Sequence, residues 1–369
     1  MALVVGIFAD EPFLGTGFAI VCSNIANLLS KKSDLRIIYF GRYGQESFFR
    51  KKPLKSGFPY EYVPCQGGTW DKDLIDAIIR HYKIDILITE DDWWSIDGFL
   101  YATKLNKIPF HLITPIDALP INPEAYNKFR QVKVLYVPNR SWEIIKMRDE
   151  KINVKYFPHG CDSNIFVPNP KIKHEKFTFV WSGRDELRKN LEGAILAFER
   201  IHEKYDVELL VRTDWNMPNA IKKRTYLIEK KLPIVHEQAM RGFHNDLAQT
   251  YNRGHVFLCT SKAGGFEMQS IEAMACGIPA LVTDWNFMNE HIINGKNGFN
   301  IPYDNLEVLS DGRVWANIDV TLLAGFMELC INEWKNTSSM GQWARKYVKE
   351  KYRWENSAET LYESITMEN

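Results

Sequence analysis

The chain has no excess of charge of either sign: 46 Lys and Arg stand against 46 Asp and Glu. A protein that neutralises a polyanion needs a basic surplus, so nucleic acid is not an expected partner. No uninterrupted apolar run approaches the roughly 20 residues of a membrane helix. The opening run from Leu3 to Ala9 is short, has no basic lead and is cut by Asp10 and Glu11, so it reads as a first strand. Cysteine is scattered, at Cys22, Cys65, Cys161, Cys259, Cys276 and Cys330, with no CxxC pair and no His-rich companion. A disulfide framework and structural zinc are therefore not expected, and reduced thiols in a cytoplasmic setting are. A nicotinamide fingerprint is missing as well: Ile20 stands where a third glycine would follow Gly15 and Gly17. The second strand ends at Phe40-Gly41, without the acid that would hold a ribose. No Ser/His/Asp or Cys/His constellation assembles from the sequence order.

What is present is regular. A chain of 369 residues exceeds the about 250–300 that one hydrophobic core organises, which implies two domains and a cleft. Short β-rich runs alternate with helical patterns, the signature of parallel sheets with covering helices. Strands are expected at Leu3–Phe8, Leu35–Phe40, Ile84–Thr89, Phe110–Ile113 and Val132–Val137. A second set follows at Thr178–Trp181, Glu208–Val211, Val256–Cys259 and Ala280–Val282. Helices in the second half are expected at Leu191–Lys204, Asn245–Tyr251 and Ser270–Ala275. The Pro- and Lys-rich stretch after Phe166 divides the chain into domains 1–166 and 167–351. An amphipathic tail, about 352–369, is expected to pack back on the first domain.

Three stretches can carry chemistry. Phe13-Leu-Gly-Thr-Gly-Phe18 lies between the first strand and a helix, where Gly15 and Gly17 permit a tight turn and close approach of a ligand. Trp181-Ser-Gly-Arg-Asp-Glu-Leu-Arg-Lys-Asn190 places Arg184 and Lys189 across a turn before a helix. That is either a pocket for a diphosphate or an ordinary solvated helix start. Ala263-Gly-Gly-Phe-Glu-Met-Gln-Ser-Ile-Glu272 runs from a Gly-Gly turn into a helix whose first N–H groups are unpaired, again suited to an anion. Gly277 and Pro279 end that helix. Asp71-Lys-Asp73 mimics a metal-binding DxD, but acids in a helix's first turn explain it more simply, and no metal is expected. His111, in an apolar strand, reads as a core residue.

These residues resemble, in order and over most of the chain, the retaining nucleotide-sugar-dependent glycosyltransferases of family 4. The Gly15-Thr-Gly17 turn is similar to that family's glycine loop, and Phe157-Pro-His-Gly-Cys-Asp-Ser-Asn-Ile-Phe-Val-Pro168 to its interdomain signature. Gly183-Arg184 with Lys189 matches the pair that contacts the donor diphosphate. Glu272-Ala-Met-Ala-Cys-Gly-Ile-Pro279 matches the second half of the Glu-x7-Glu motif, and Tyr352-Arg-Trp354 the tail. The resemblance implies an α/β GT-B fold, two Rossmann-like domains facing across a cleft. It implies transfer of a sugar from a nucleoside-diphosphate donor to an acceptor hydroxyl, with retention and no cofactor. On that basis Arg184 and Lys189 meet the diphosphate and Glu272 the ribose, while Gly264, Gly265, Phe266, Glu267, Met268 and Gln269 cover the sugar. The acceptor, whether glycan, lipid, protein or small molecule, falls to the first domain.

Two departures stand out. The first Glu of Glu-x7-Glu should occupy position 264, which is Gly264, while an acid stands three residues later at Glu267. Glu267 either takes over part of the sugar contact or faces solvent. In the first domain, Pro115 replaces a His the family often has, and Asp117 is the nearest titratable residue. It either orients the acceptor hydroxyl or stabilises a turn after proline. Glu90-Asp91-Asp92-Trp93-Trp94 ends another strand of that sheet, and its acids and rings suit a sugar or interdomain packing equally. The missing acid at 264 leaves a non-catalytic nucleotide- or sugar-binding GT-B protein as an alternative, beside a sugar-nucleotide epimerase.

Overall fold

Runs such as Leu3-Val-Val-Gly-Ile-Phe8 are apolar without alternation, as strands covered on both faces must be. The computed structural model, which describes residues 2–43, 57–65, 67, 70–216, 218–239 and 244–367, arranges such runs in two parallel sheets. The chain divides into a first unit of Met1–Ile116, Ile121–Gly160 and Trp354–Asn369 and a second of Asp117–Pro120 and Cys161–Arg353. Both are Rossmann-like α/β assemblies.

In the first unit the strands are β1 (Leu3–Asp10), β2 (Leu35–Arg42), β3 (Glu61–Pro64), β4 (Ile86–Glu90), β5 (Phe110–Ile113), β6 (Val134–Val137) and β7 (Val154–Tyr156). Their order is β3-β2-β1-β4-β5-β6-β7, every pair parallel. The order reverses between β1 and β4, and ligands of open α/β sheets bind beyond the carboxyl ends at such a point. Phe8 packs there on Phe40, Trp70 and Phe99. The Trp354–Met367 helix belongs to this unit, tied by Lys32 to Glu359 at 2.7 Å and by Tyr362 Oη to Asp34 at 2.9 Å. Gly160 is obligatory at this junction, because a Cβ there would lie 2.5 Å from the Trp354 ring.

The second unit contains β8 (Phe177–Ser182), β9 (Val207–Thr213), β10 (Ile234–Gln238), β11 (Val256–Cys259), β12 (Ala280–Thr283) and β13 (Gly298–Ile301), ordered β10-β9-β8-β11-β12-β13. Its reversal falls between β8 and β11. An antiparallel hairpin follows, β14 (Tyr303–Val308) with β15 (Val314–Ile318). The free edge of β15 is satisfied by two main-chain bonds, Val314 N–H to Leu119 O and Ala316 N–H to Lys262 O, both 2.9 Å.

The strand cores fall where the apolar runs predict, with differences at the ends. Ile84–Thr89 becomes Ile86–Glu90, and Val132–Val137 starts at Val134 because turns after the Pro123–Phe129 helix consume the first two residues. The helix expected over Leu191–Lys204 stops at Glu199, and a mixture of i→i−3 and i→i−4 turn bonds carries the chain on to Tyr205. The hairpin has no hydrophobic signature, since β14 is solvent-exposed throughout. Asp71 is the N-cap of the Lys72–Tyr82 helix, accepting from the N–H groups of Asp73 and Leu74. His111 is buried against Tyr136, its Nδ1 3.0 Å from the phenol oxygen. All six cysteines are buried and free of disulfides. Among the described residues no helix is long and apolar enough to cross a membrane, and no His, Cys, Asp and Glu gather as a metal-binding group.

Candidate functional site

In the second unit, β8 and β11 run side by side and each ends in a loop that enters a helix. The first loop is Gly183 to Asn190, and the second is Thr260 to Glu267. The two are laced together. Lys262 N–H bonds Arg188 O at 2.7 Å, Thr260 Oγ1 donates to Asn190 O at 2.7 Å, and Trp181 Nε1 donates to Thr260 Oγ1 at 3.2 Å. Asn190 then caps the Leu191–Glu199 helix through its side chain.

At the centre of this lacing lies Glu267, the residue before the Met268–Ala275 helix, with a left-handed φ of 57°. Its side chain is only 3% exposed, so it does not face solvent. Lys189 Nζ donates to both carboxylate oxygens at 2.7 Å, and Arg188 Nη1 stands 3.5 Å from Oε1 while donating to Ala263 O at 2.8 Å. Burial alone would push this carboxyl up. Lys189 and Arg188 outweigh it and hold the group below the ordinary carboxylate range. Gly264 makes room for the arrangement: a Cβ at 264 would lie 2.2 Å from Glu267 Oε1. The missing acid at 264 and the extra acid at 267 are thus one structural fact. The Glu267 carboxylate occupies the volume that a side chain at 264 would need.

The other expected donor residues divide. Arg184 is 76% exposed, with Glu186 3.4 Å away, and is free to turn toward an incoming anion. Gly265 is buried in the turn, and Met268 and Gln269 are half-buried at the helix start. The Phe266 ring is buried against His291 and Tyr352, and the Phe266 carbonyl accepts from His291 Nε2. Glu272 is buried in the second turn of its helix and accepts from Tyr251 Oη at 3.2 Å. Burial pushes its carboxyl up to about 7, the Tyr251 bond opposing only part of the effect.

That shift has a signed consequence. The folded state binds the Glu272 proton more tightly than the unfolded state, so stability falls as pH rises from about 4.5 through 7. Glu272→Gln is expected to remove this fall, on the order of 3 kcal/mol across the window. Urea unfolding of both proteins from pH 4.5 to 8 checks it, and parallel profiles would contradict it.

Two residues that sequence reading passed over lie in the quoted stretch itself. Arg188 was indistinguishable by spacing from a surface charge. Asp185 is buried with Lys223 Nζ 2.7 Å from Oδ1, while its Oδ2 has no hydrogen-bond partner among the described residues.

At the carboxyl edge of the first unit, Asp91 is not open to a ligand. It and Asp10 share the buried Arg42, with Nε–Oδ1 2.5 Å to Asp10 and Nη1–Oδ2 2.9 Å to Asp91. Thr16, between Gly15 and Gly17, donates to the other Asp10 oxygen at 2.5 Å, which fixes the glycine turn to the cluster. Glu90 is buried 3.2 Å from His159 Nε2, and desolvation raises its carboxyl against the pull of that ring. Asp92 is half-buried, Trp93 lies T-shaped to Trp94 at 5.5 Å, and the Trp94 ring is 47% exposed. Of the five acceptor-side residues, Trp94 is the most open to solvent. Asp117 lies 3.7 Å from Arg313 and belongs with the second unit.

Residues 162–313 match the family model of glycosyl transferases group 1. An uncharacterised glycosyltransferase of Methanocaldococcus jannaschii is 27% identical over 232 residues, covering 62% of this chain and 52% of the relative. The chain spans about half the length of this and two further curated relatives it matches. A sucrose-phosphate synthase structure from Thermosynechococcus elongatus superposes with a TM-score of 0.79 at 15% identity over the whole of both chains. An Anabaena protein, HepE, solved with UDP and glucose, superposes at 0.77 and 13% identity over 99% of this chain and all of its own. The fold is accordingly GT-B, two Rossmann-like α/β domains.

Proposed function

We propose that this chain moves a glycosyl group from a nucleoside-diphosphate sugar to an acceptor hydroxyl, with retention at the anomeric carbon. The observation that carries the proposal is the loop from Gly183 to Lys189. It sets Arg188 and Lys189 beside the turn that opens the Met268–Ala275 helix, with Arg184 exposed earlier on the same loop, at the carboxyl edge of the sheet inside the stretch that matches the group 1 model. As the acceptor oxygen bonds to the anomeric carbon, the bond from that carbon to the diphosphate oxygen breaks and charge gathers on the leaving group. Cations gathered on this loop stabilise that charge as it develops. The acceptor proton passes to the departing phosphate, since the buried Glu267 is fully engaged by Lys189. The acceptor is assigned to the first unit, where the fixed Gly15–Gly17 turn and the exposed Trp94 offer main-chain donors and a stacking face. The neighbour solved with UDP and glucose supports a uridine donor as the first to test.

The test is a panel of nucleoside-diphosphate sugars scored for thermal stabilisation and for release of free nucleotide. Stabilisation with slow donor hydrolysis is expected for at least one member, together with transfer once an acceptor is supplied. Stabilisation without any turnover would favour a non-catalytic binding protein, the reading that Gly264 supports. A changed sugar recovered without acceptor would favour an epimerase.

A further inference from the structure

Lys189 does not wait for a phosphate with its charge uncompensated. Its side chain is 16% exposed, its ammonium is bidentate on Glu267, and Arg188 leans on the same carboxylate. A buried carboxylate in the left-handed region, filling the volume vacated at Gly264, is a costly arrangement, which its two cations and the absent Cβ together make possible.

Resting on the donor-site reading above, we propose that Glu267 is a resident counter-ion that competes with phosphate for Lys189 and Arg188, and so discriminates the sugar-esterified donor from the free nucleoside diphosphate released after transfer. The chemistry is one of charge number. A sugar-esterified diphosphate carries one negative charge per phosphorus. The released nucleoside diphosphate ionises again with a pKa near ~6 and carries almost one charge more. Repulsion from a fixed carboxylate grows with ligand charge, and it grows steeply where burial reduces screening. Glu267 therefore penalises the product more than the substrate and gives Lys189 a partner to return to when product leaves. Glu267 is a specificity-determining residue in this scheme. It takes no proton and forms no bond to the sugar.

The experiment measures Kd by calorimetry for UDP, GDP and ADP and for their glucose esters, at pH 7.5, in wild type, Glu267→Gln and Glu267→Asp. For the nucleotide that binds wild type, Glu267→Gln is expected to tighten the free diphosphate at least about tenfold, or about 1.4 kcal/mol. The glucose ester should tighten less, and Glu267→Asp, which keeps the charge, should stay near wild type. Damage to the fold would weaken binding, so tightening is not a structural side effect. If Glu267→Gln does not fold, Gly264→Ala serves, because the new Cβ evicts the carboxylate from its place beside Lys189. The same direction is expected there. Wild-type binding that the variants leave unchanged or weaken, or tightening equal for both ligands, overturns the counter-ion role and leaves the donor site standing. No binding of any nucleotide or ester to any of the proteins overturns the donor site, and this inference with it.

Discussion

Lys189→Ala is expected to lower the unfolding free energy by about 3–5 kcal/mol, the cost of leaving a buried carboxylate without its partner. Glu267 is 3% exposed and both its oxygens take their bond from Lys189 at 2.7 Å, so the loss falls on a group water cannot reach. Arg188, at 3.5 Å and committed to Ala263 O, recovers little of it. Removing both charges should restore much of the loss, so Lys189→Ala/Glu267→Gln is expected to unfold at higher urea concentration than Lys189→Ala alone. The double-mutant cycle isolates the pair energy. Additive losses would mean that Lys189 and Glu267 do not hold each other, and that Gly264 has another explanation. The double variant should still fail to turn over donor, because a cation of the diphosphate site has gone.

Arg184→Ala is expected to do the reverse, lowering turnover roughly 10²–10³-fold while leaving stability within about 0.5 kcal/mol of wild type. The side chain is 76% exposed, and its pairing with Glu186 at 3.4 Å is a surface ion pair of small worth. Arg184→Lys should recover only part of the rate, since an ammonium keeps the charge but not the forked geometry that fits two phosphate oxygens. Steady-state kinetics on the donor found by the panel, beside urea unfolding, separates the effects. Wild-type turnover in Arg184→Ala would sink the diphosphate assignment. The two variants bracket the site: Lys189 serves both the fold and the ligand, and Arg184 stands outside the fold for the ligand alone.

The unit cores were legible because they depend on local pattern. Phe110–Ile113 and Val256–Cys259 fall where the apolar runs place them, and Asp71 caps its helix as acids before a first turn do. The order of Gly183-Arg184, Lys189 and Glu272-Ala-Met-Ala-Cys-Gly-Ile-Pro279 pointed to the glycosyltransferases whose group 1 family model matches residues 162–313. Glu272 shows where the pattern stops. Its motif position was legible, but which neighbour its carboxyl would meet was not, and it meets Tyr251 on another helix. Phe266 likewise sat in the right motif, with its ring turned inward to His291. Arg42 lies far in sequence from the two acids it joins, Asp10 and Asp91, and each alone reads as a solvated charge at a strand end.

Local pattern along the chain is enough for a pair of α/β cores, the turns at their carboxyl edges and the chemical kind of residue in each turn. Periodicity and chain order express the backbone's own geometry, which repeats from one α/β protein to the next. Which charges neutralise which emerges only in the folded chain, since an ion pair needs two atoms within about 4 Å and leaves no trace in spacing. The balance of 46 against 46 with which the sequence opens is, in the fold, partly a set of private pairings. Arg42 is taken by Asp10 and Asp91, Lys189 by Glu267, and Arg184 is left open to solvent. Gly264 belongs to the same decision. Read along the chain it is a missing acid, and in the fold it is the space in which another acid, three residues on, is held.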